Sequence, residues 1–169
     1  MHISVRADYA IRAMLAIAAA EPGRITASEL ARSERMSIGS LQTVLLELRR
    51  VGLVHSHRGT ERGYGLARPA AAVTVGEILR AMNGALTTVR GLPTGQATYD
   101  GVGRGLRKVW LSVDDAVNAI VDRATLADLL ADPDLELDDD HRTTPLSTLS
   151  TLSTLSTLST ADPRRTGSP

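Results

Sequence analysis

The sequence contains no cysteine and no phenylalanine, only one tryptophan and one lysine, and no uninterrupted apolar run of the about 18 residues a membrane-spanning helix requires. Without cysteine there is no disulfide, no thiolate nucleophile, and no zinc site or cluster built on sulfur from this chain. With aromatics limited to Trp110 and three tyrosines, the core must be made of Leu, Val, Ile, Ala and Met, which favours helices. The N-terminal AMLAIAAA resembles the apolar part of a secretion signal. Asp8 and Arg12 break the stretch around it, however, and Ile11, Met14, Leu15 and Ala18 keep a helical period, so a cytoplasmic protein without membrane contact is expected.

Catalytic constellations are missing as well. No Ser-His-Asp set, phosphate-cradling glycine loop or paired carboxylates can be picked out, which argues against an enzyme. The formal charge of zero conceals a division: residues 1–68 carry ten Arg against six acids, and residues 69–169 carry nine Arg or Lys against thirteen acids. A basic first part suggests an anionic partner, nucleic acid above all.

The chain of 169 residues is about right for one domain, or a small domain with an extension. A first helix is expected over 8–20, with Asp8 at its start and Pro22-Gly23 after it. Thr26 and Glu29 have the spacing of a capping box opening a second helix, and Ser37 is expected to cap a third, over 38–51, whose Leu41, Val44, Leu45 and Leu48 face a core before Gly52 stops it. Two short strands, 53–56 and 64–66, flank a loop rich in Gly and Arg. TVGEILRAMNG at 74–84 reads as another capped helix, residues 85–103 as a loop, and 125–132 as a last helical turn. Between these last two, Leu106, Val109, Trp110, Val113, Val117 and Ile120 mark an apolar stripe on a long amphipathic helix that needs a partner surface. The Leu-Ser-Thr repeat near the C-terminus matches neither helical nor strand period, and the acidic and repetitive region from 133 onward is expected to be disordered.

Three helices followed by a hairpin are the order of a winged helix-turn-helix, in which the third helix enters the major groove and the hairpin loop lies beside it. The expected fold class is therefore mainly α with a small β-hairpin: a winged helix-turn-helix domain over 1–70, then a linker helix, loop and dimerisation helix over 71–132. Arg58 and Arg62 in the wing can neutralise phosphates, and Gly59 and Gly63 let backbone come close. Ser37, Ser40, Gln42 and Thr43 near the start of the third helix are the candidate readers; a Gln can pair with adenine through two hydrogen bonds. Ser56 and Thr60 complete the candidate DNA-binding set. Arg49 and Arg50, at a helix C-terminus that favours cations, are counted as structural first. His55 and His57 share one strand face; exposed histidines beside DNA are favoured over a metal site.

The segments ISVRADYAIRAMLAIA, ITASELARSERMS, LQTVLLELRRVGLVHSHRG, GYGLARPAAAVTVGEILRAMNG and LRKVWLSVDDAVNAIVDRATLADLL, in that order and spacing, resemble the Rrf-two family of winged-helix transcription regulators over about residues 2–131. The resemblance implies a homodimer formed through the helix at about 104–123, and a palindromic double-stranded DNA operator read by Gln42, Ser56, Arg58 and the loop from Gly59 to Gly63. Tyr64, at the family's wing-closing aromatic, is implied to pack. Many relatives hold an iron-sulfur cluster on three cysteines before the dimer helix. The matching positions here fall near Gly91, Ala97 or Thr98, and Arg104, with Arg107 where a histidine sometimes stands, so no cofactor is expected. The carboxylate of Asp8, which matches an occasional ligand in relatives, cannot hold a cluster alone. The signal is then a small molecule, a partner protein or simply the protein's own concentration, and repression by occlusion is the simpler mode. An alternative expectation is a protein-interaction regulator that keeps the dimer scaffold but has lost specific DNA binding.

Overall fold

The computed structural model describes residues 2–57, 59, 62–132 and 134. The chain divides into 1–137 and 138–169, and the second unit, with the Leu-Ser-Thr repeat, lies outside the described residues.

Helix α1 (Val5–Ala19) begins ahead of the expected start at Asp8. Ser4 is the cap: its backbone is extended and its hydroxyl oxygen accepts from the Ala7 amide at 3.1 Å. Asp8 instead sits in the first turn, where a carboxylate suits the positive helix end, and pairs with Arg12 at 3.5 Å. Helix α2 (Ala27–Ser33) opens with the predicted capping box. The Glu29 amide donates to the Thr26 hydroxyl at 3.3 Å, and the Thr26 amide donates to the Glu29 carboxylate at 2.9 Å.

Helix α3 (Ile38–Arg50) buries Leu41, Val44, Leu45 and Leu48, and Gly52 follows it at φ 78°, the left-handed conformation that ends a helix without steric cost. Ser37 holds the cap position with extended backbone, but its side chain makes no capping bond, contrary to the sequence expectation.

Strands β1 (Val54–His57) and β2 (Gly63–Leu66) pair antiparallel, from Val54 opposite Leu66 to His57 opposite Gly63. Ile25 adds an isolated bridge on the far side of β2: the Tyr64 amide donates to the Ile25 carbonyl at 2.9 Å and the Ile25 amide to the Tyr64 carbonyl at 3.4 Å. One paired residue has no periodicity to reveal it, so this third layer of the wing was not read in the sequence.

Helix α4 (Val75–Asn83) is capped by Thr74, whose hydroxyl accepts from the Glu77 amide at 3.2 Å. The expected loop over 85–103 contains a hairpin of two short strands, β3 (Thr88–Val89) and β4 (Leu92–Pro93), and short 3-10 turns. Arg90 and Gly91 join the strands, both at positive φ, 54° and 79°, as a tight two-residue hairpin requires. Helix α5 (Leu106–Arg123) and helix α6 (Leu126–Ala131) follow. A second capping box, Thr125 with Asp128, opens α6.

One apolar cluster joins these elements. Ala7, Ala10, Ala13, Met14 and Ile17 of α1 are wholly buried against α3, α4, α6 and β2, together with Leu30, Leu41, Leu45, Ile78 and Leu126. The short α6 is held to the start of α4 by backbone bonds, from the Leu126 amide to the Val73 carbonyl at 3.0 Å and from the Val75 amide to the Ala124 carbonyl at 2.9 Å. Five wholly buried positions on α1 follow the helical period, so the helix is the shared wall of the core.

Because Leu126 is 0% exposed at the junction of α6 with the core, Leu126→Ala is expected to cost about 2–5 kcal/mol, read as a lower urea midpoint with unchanged denaturant slope. In both capping boxes the hydroxyl and then the amide of the threonine hold the partner carboxyl below its ordinary pKa, at Glu29 and at Asp128. A depressed folded pKa means stabilisation that is complete above the ordinary carboxylate range and lost as pH falls through the lowered value. Thermal melts of Glu29→Gln should therefore converge on those of the parent toward low pH.

Candidate nucleic-acid interface

Burial of one face of α3 leaves the other to solvent. Ser37, Gly39, Ser40, Gln42, Thr43, Leu46, Arg49 and Arg50 are exposed, on the side opposite Leu41, Val44, Leu45 and Leu48. The Thr43 hydroxyl donates to the Gly39 carbonyl one turn back at 3.2 Å, so its proton is already committed and it presents lone pairs. Ser37, which spends no bond on capping, keeps its hydroxyl for other partners.

The wing is tied to this helix. Arg49 donates from Nη1 to the Ser56 hydroxyl at 3.3 Å, linking the C-terminal end of α3 to β1. Between the start of α2 and the wing lies an open groove of about 470 Å3, to whose lining Thr26, Ser28, Arg49, Ser56, His57 and Arg62 contribute polar groups among the described residues. Two guanidinium groups, an imidazole and the Ser28 and Ser56 hydroxyls thus converge, a donor set that suits phosphate oxygens, while Thr26 gives its proton to Glu29 at 2.6 Å. Arg49 is the residue that sequence reasoning undervalued: its place in the last turn of α3 explains it without DNA, and only the fold brings it against β1. Its partner in the groove, Arg62, lies close enough to Glu29 to help lower that carboxyl's pKa, after the larger effects of the two Thr26 hydrogen bonds and Arg32.

Gly63 earns its place through close approach. A Cβ there would lie 2.9 Å from Arg24 Cβ and 3.1 Å from the Ile25 carbonyl oxygen, and its φ is 150°. Gly59 is exposed at φ 100°, and none of the described residues is near its missing Cβ, so among them only conformation favours glycine there. Arg58 and Thr60 lie outside the described residues. Tyr64 is half-buried and packs against the core cluster.

The basic excess of the first part is only partly free for DNA. Arg6 pairs with Glu47 at 3.1 Å and donates to the Met82 carbonyl; Arg12 pairs with Glu34 at 3.2 Å and with Asp8; Arg68 pairs with Glu77 at 2.5 Å. Arg6 and Arg12 thereby tie α1 to α3, α4 and the end of α2, and Arg68, just after β2, reaches α4. The rings of His55 and His57 stand edge to face with centroids 4.7 Å apart, and no group of three or more His, Cys, Asp or Glu arranged to hold a metal occurs among the described residues.

Of the six stripe residues on α5, Leu106, Val109, Trp110, Val113 and Ile120 are exposed and Val117 is half-buried; the 18-residue helix buries none of its side chains. No described helix is long and apolar enough to cross a membrane.

The model of the Rrf2 family, described as an iron-dependent transcriptional regulator, matches residues 3–132. The chain belongs to the Rrf2 family. Among relatives, it is 35% identical over 147 residues to Rv1287 of Mycobacterium tuberculosis, provisionally named an HTH-type transcriptional regulator, covering 84% of this chain and 91% of that one. It is 30% identical to the HTH-type transcriptional regulator CymR of Bacillus subtilis, over 80% of this chain and 94% of that one. The solved structure of CymR, the global cysteine regulator of B. subtilis, superposes with a TM-score of 0.67 at 29% identity, over 78% of this chain and 97% of that one. T. potens IscR superposes with a TM-score of 0.65 at 29% identity, over 79% and 88%.

This Rrf2 chain is thus a DNA-binding transcription regulator, not an enzyme, with a mainly helical winged helix-turn-helix fold; the alternative of a scaffold that has lost DNA binding is not favoured. The iron named in the family's description finds no matching donor set here. The chain has no cysteine, Ala97 is buried at 1% exposure, and Gly91, Thr98 and Arg104 offer no thiolate or imidazole.

Gly63→Ala should overpack the joint between wing and Arg24, costing about 1–3 kcal/mol in denaturant unfolding. The same substitution at Gly59, where the Cβ meets none of the described residues, should cost less, through backbone conformation.

Proposed function

We propose that two copies of this chain bind a palindromic operator, each setting the start of α3 into the major groove and the wing against the backbone, and repress by occluding transcription in the cytoplasm. The observation that carries the DNA-facing part is the groove where Arg49, Ser56, His57 and Arg62 meet beside the exposed Ser37, Ser40, Gln42 and Thr43. Arg58, Gly59, Thr60 and Gly63 belong to the same wing and are assigned to the DNA contact with them. Gln42 is assigned to base reading, where a side-chain amide pairs with adenine; the arginines and hydroxyls are assigned to phosphates.

The dimer rests on α5. Leu106, Val109, Trp110, Val113, Val117 and Ile120 form a stripe about 21 Å long, on a rise of about 1.5 Å per residue, with all but the half-buried Val117 exposed. A second copy of the same helix covers such a stripe symmetrically. Two-fold symmetry then places the α3 helices about 34 Å apart along the duplex, or a multiple of that. The signal is assigned to a small molecule or partner protein, since the chain lacks the ligands for a cluster.

Selection of bound duplexes from a randomised pool, followed by mobility shifts over a salt series, tests this reading. A palindrome should be enriched, with log affinity falling linearly in log salt. Gln42→Ala should lose about 1–3 kcal/mol of discrimination at one base pair, while Arg62→Ala and Arg49→Ala should weaken all sequences and each reduce the salt slope by about 1. Failure to enrich any duplex, with parental affinity in all three variants, would sink the assignment. Val113→Asp should convert the dimer to monomer in sedimentation velocity; a parent that already sediments as a monomer refutes the dimer.

A further inference from the structure

Helix α5 turns its polar side toward its own subunit. Asp114 accepts from the Thr87 hydroxyl, and the Thr87 and Thr94 hydroxyl oxygens are 2.8 Å apart in a buried position. A hydroxyl has one proton; with that of Thr87 given to Asp114, Thr94 donates to Thr87, so the chain of bonds has one direction. One turn further along α5, Asn118 accepts from Arg80 Nη1 at 3.0 Å, and one turn beyond that Asp122 forms an ion pair with the same guanidinium. Asp114, Asn118 and Asp122 are four apart, a single stripe facing α4 and the loop before α5. Gly76 lies at the crossing: a Cβ there would meet the Asp122 carboxylate first, then Val121 Cγ2 at 2.9 Å and Arg80 Nη2 at 3.1 Å, so the missing side chain makes room for the ion pair and for the approach of α4 to α5.

We infer that Gly76, Arg80 and Thr87, acting on Val121, Asp122 and Asp114, form a strut that fixes the angle of α5 to the winged head and thereby the separation of the two heads in a dimer. They are positioning residues, acting on DNA spacing through α5. The inference rests on the dimer reading above. Arg80 and Asp122 are 41% and 43% exposed, and exposed pairs add little to global stability, so this contact can be removed without unfolding the chain.

The absence of cysteine allows a direct measurement. A nitroxide on Ala19→Cys, at the exposed end of α1, places one label on each head, and pulsed dipolar spectroscopy of the full-length protein without DNA reads the distance between heads. The parent should give one narrow distance. Arg80→Ala should broaden it and Gly76→Ala should displace it, circular dichroism showing a retained fold. If Gly76→Ala unfolds, Arg80→Ala decides alone. Parental distance distributions in the folded single variants overturn the strut and leave the dimer standing. No dipolar coupling in the labelled parent overturns the dimer and the strut with it.

Discussion

Everything in the described unit depends on the burial of α1. Its wholly buried positions are mostly alanines, Ala7, Ala10 and Ala13, with Met14 and Ile17 filling the space between. Small side chains let several elements approach one helix closely, and α3, α4, α6 and β2 all do so. The consequence is mechanical. The helix assigned to the DNA groove and the helix that carries α5 rest on the same support, with Arg6 reaching Glu47 of α3 and the Met82 carbonyl of α4 from one side chain. A head built this way moves as one body, because shifting α3 against α4 would uncover α1 on two sides and break the Arg6 contacts.

Helix α5 follows the opposite rule. An amphipathic helix on a globular domain ordinarily buries its apolar stripe and exposes its charges. Here Asp114, Asn118 and Asp122 are engaged by Thr87 and Arg80, whereas Trp110 and Val113 remain open. An apolar stripe left outside is costly in water, and a protein that spends its hydrogen bonds on the inner face has prepared the outer one for association. In the proposed dimer this division leaves the polar anchoring on the inner side, away from the symmetric partner.

Most of the first half of the fold was legible in the sequence. The capping box of Thr26 and Glu29 and the spacing of Leu41, Val44, Leu45 and Leu48 are local signals, and local chemistry decides them. The start of α1 was misplaced because Ser4 and Asp8 are both good cap residues and only the extended backbone at Ser4 distinguishes them. The bridge from Ile25 to Tyr64, the approach of Arg49 to Ser56 and the crossing at Gly76 join residues far apart in sequence, so no window along the chain contains them. Residues 85–103 read as loop because strands of two residues are shorter than any period.

That same loop bears on how this family member differs from a metal-controlled one. A connection this long between two helices needs something to hold it. In this chain the holding groups are its own: Thr94 to Thr87 and Thr87 to Asp114, Arg90 stacked 5.2 Å over Tyr99 and donating to the Thr98 carbonyl at 3.0 Å, and Arg107 donating to the Gly95 carbonyl at 3.3 Å. Two of the three attachments end on α5, so the loop's conformation and the helix's position are one variable. Were a metal the organiser, these positions would carry soft ligands that a hydrogen-bonded threonine or a buried alanine at 97 cannot supply. The signal proposed for this chain would reach α5 most directly through the bonds that join Thr94, Thr87 and Asp114.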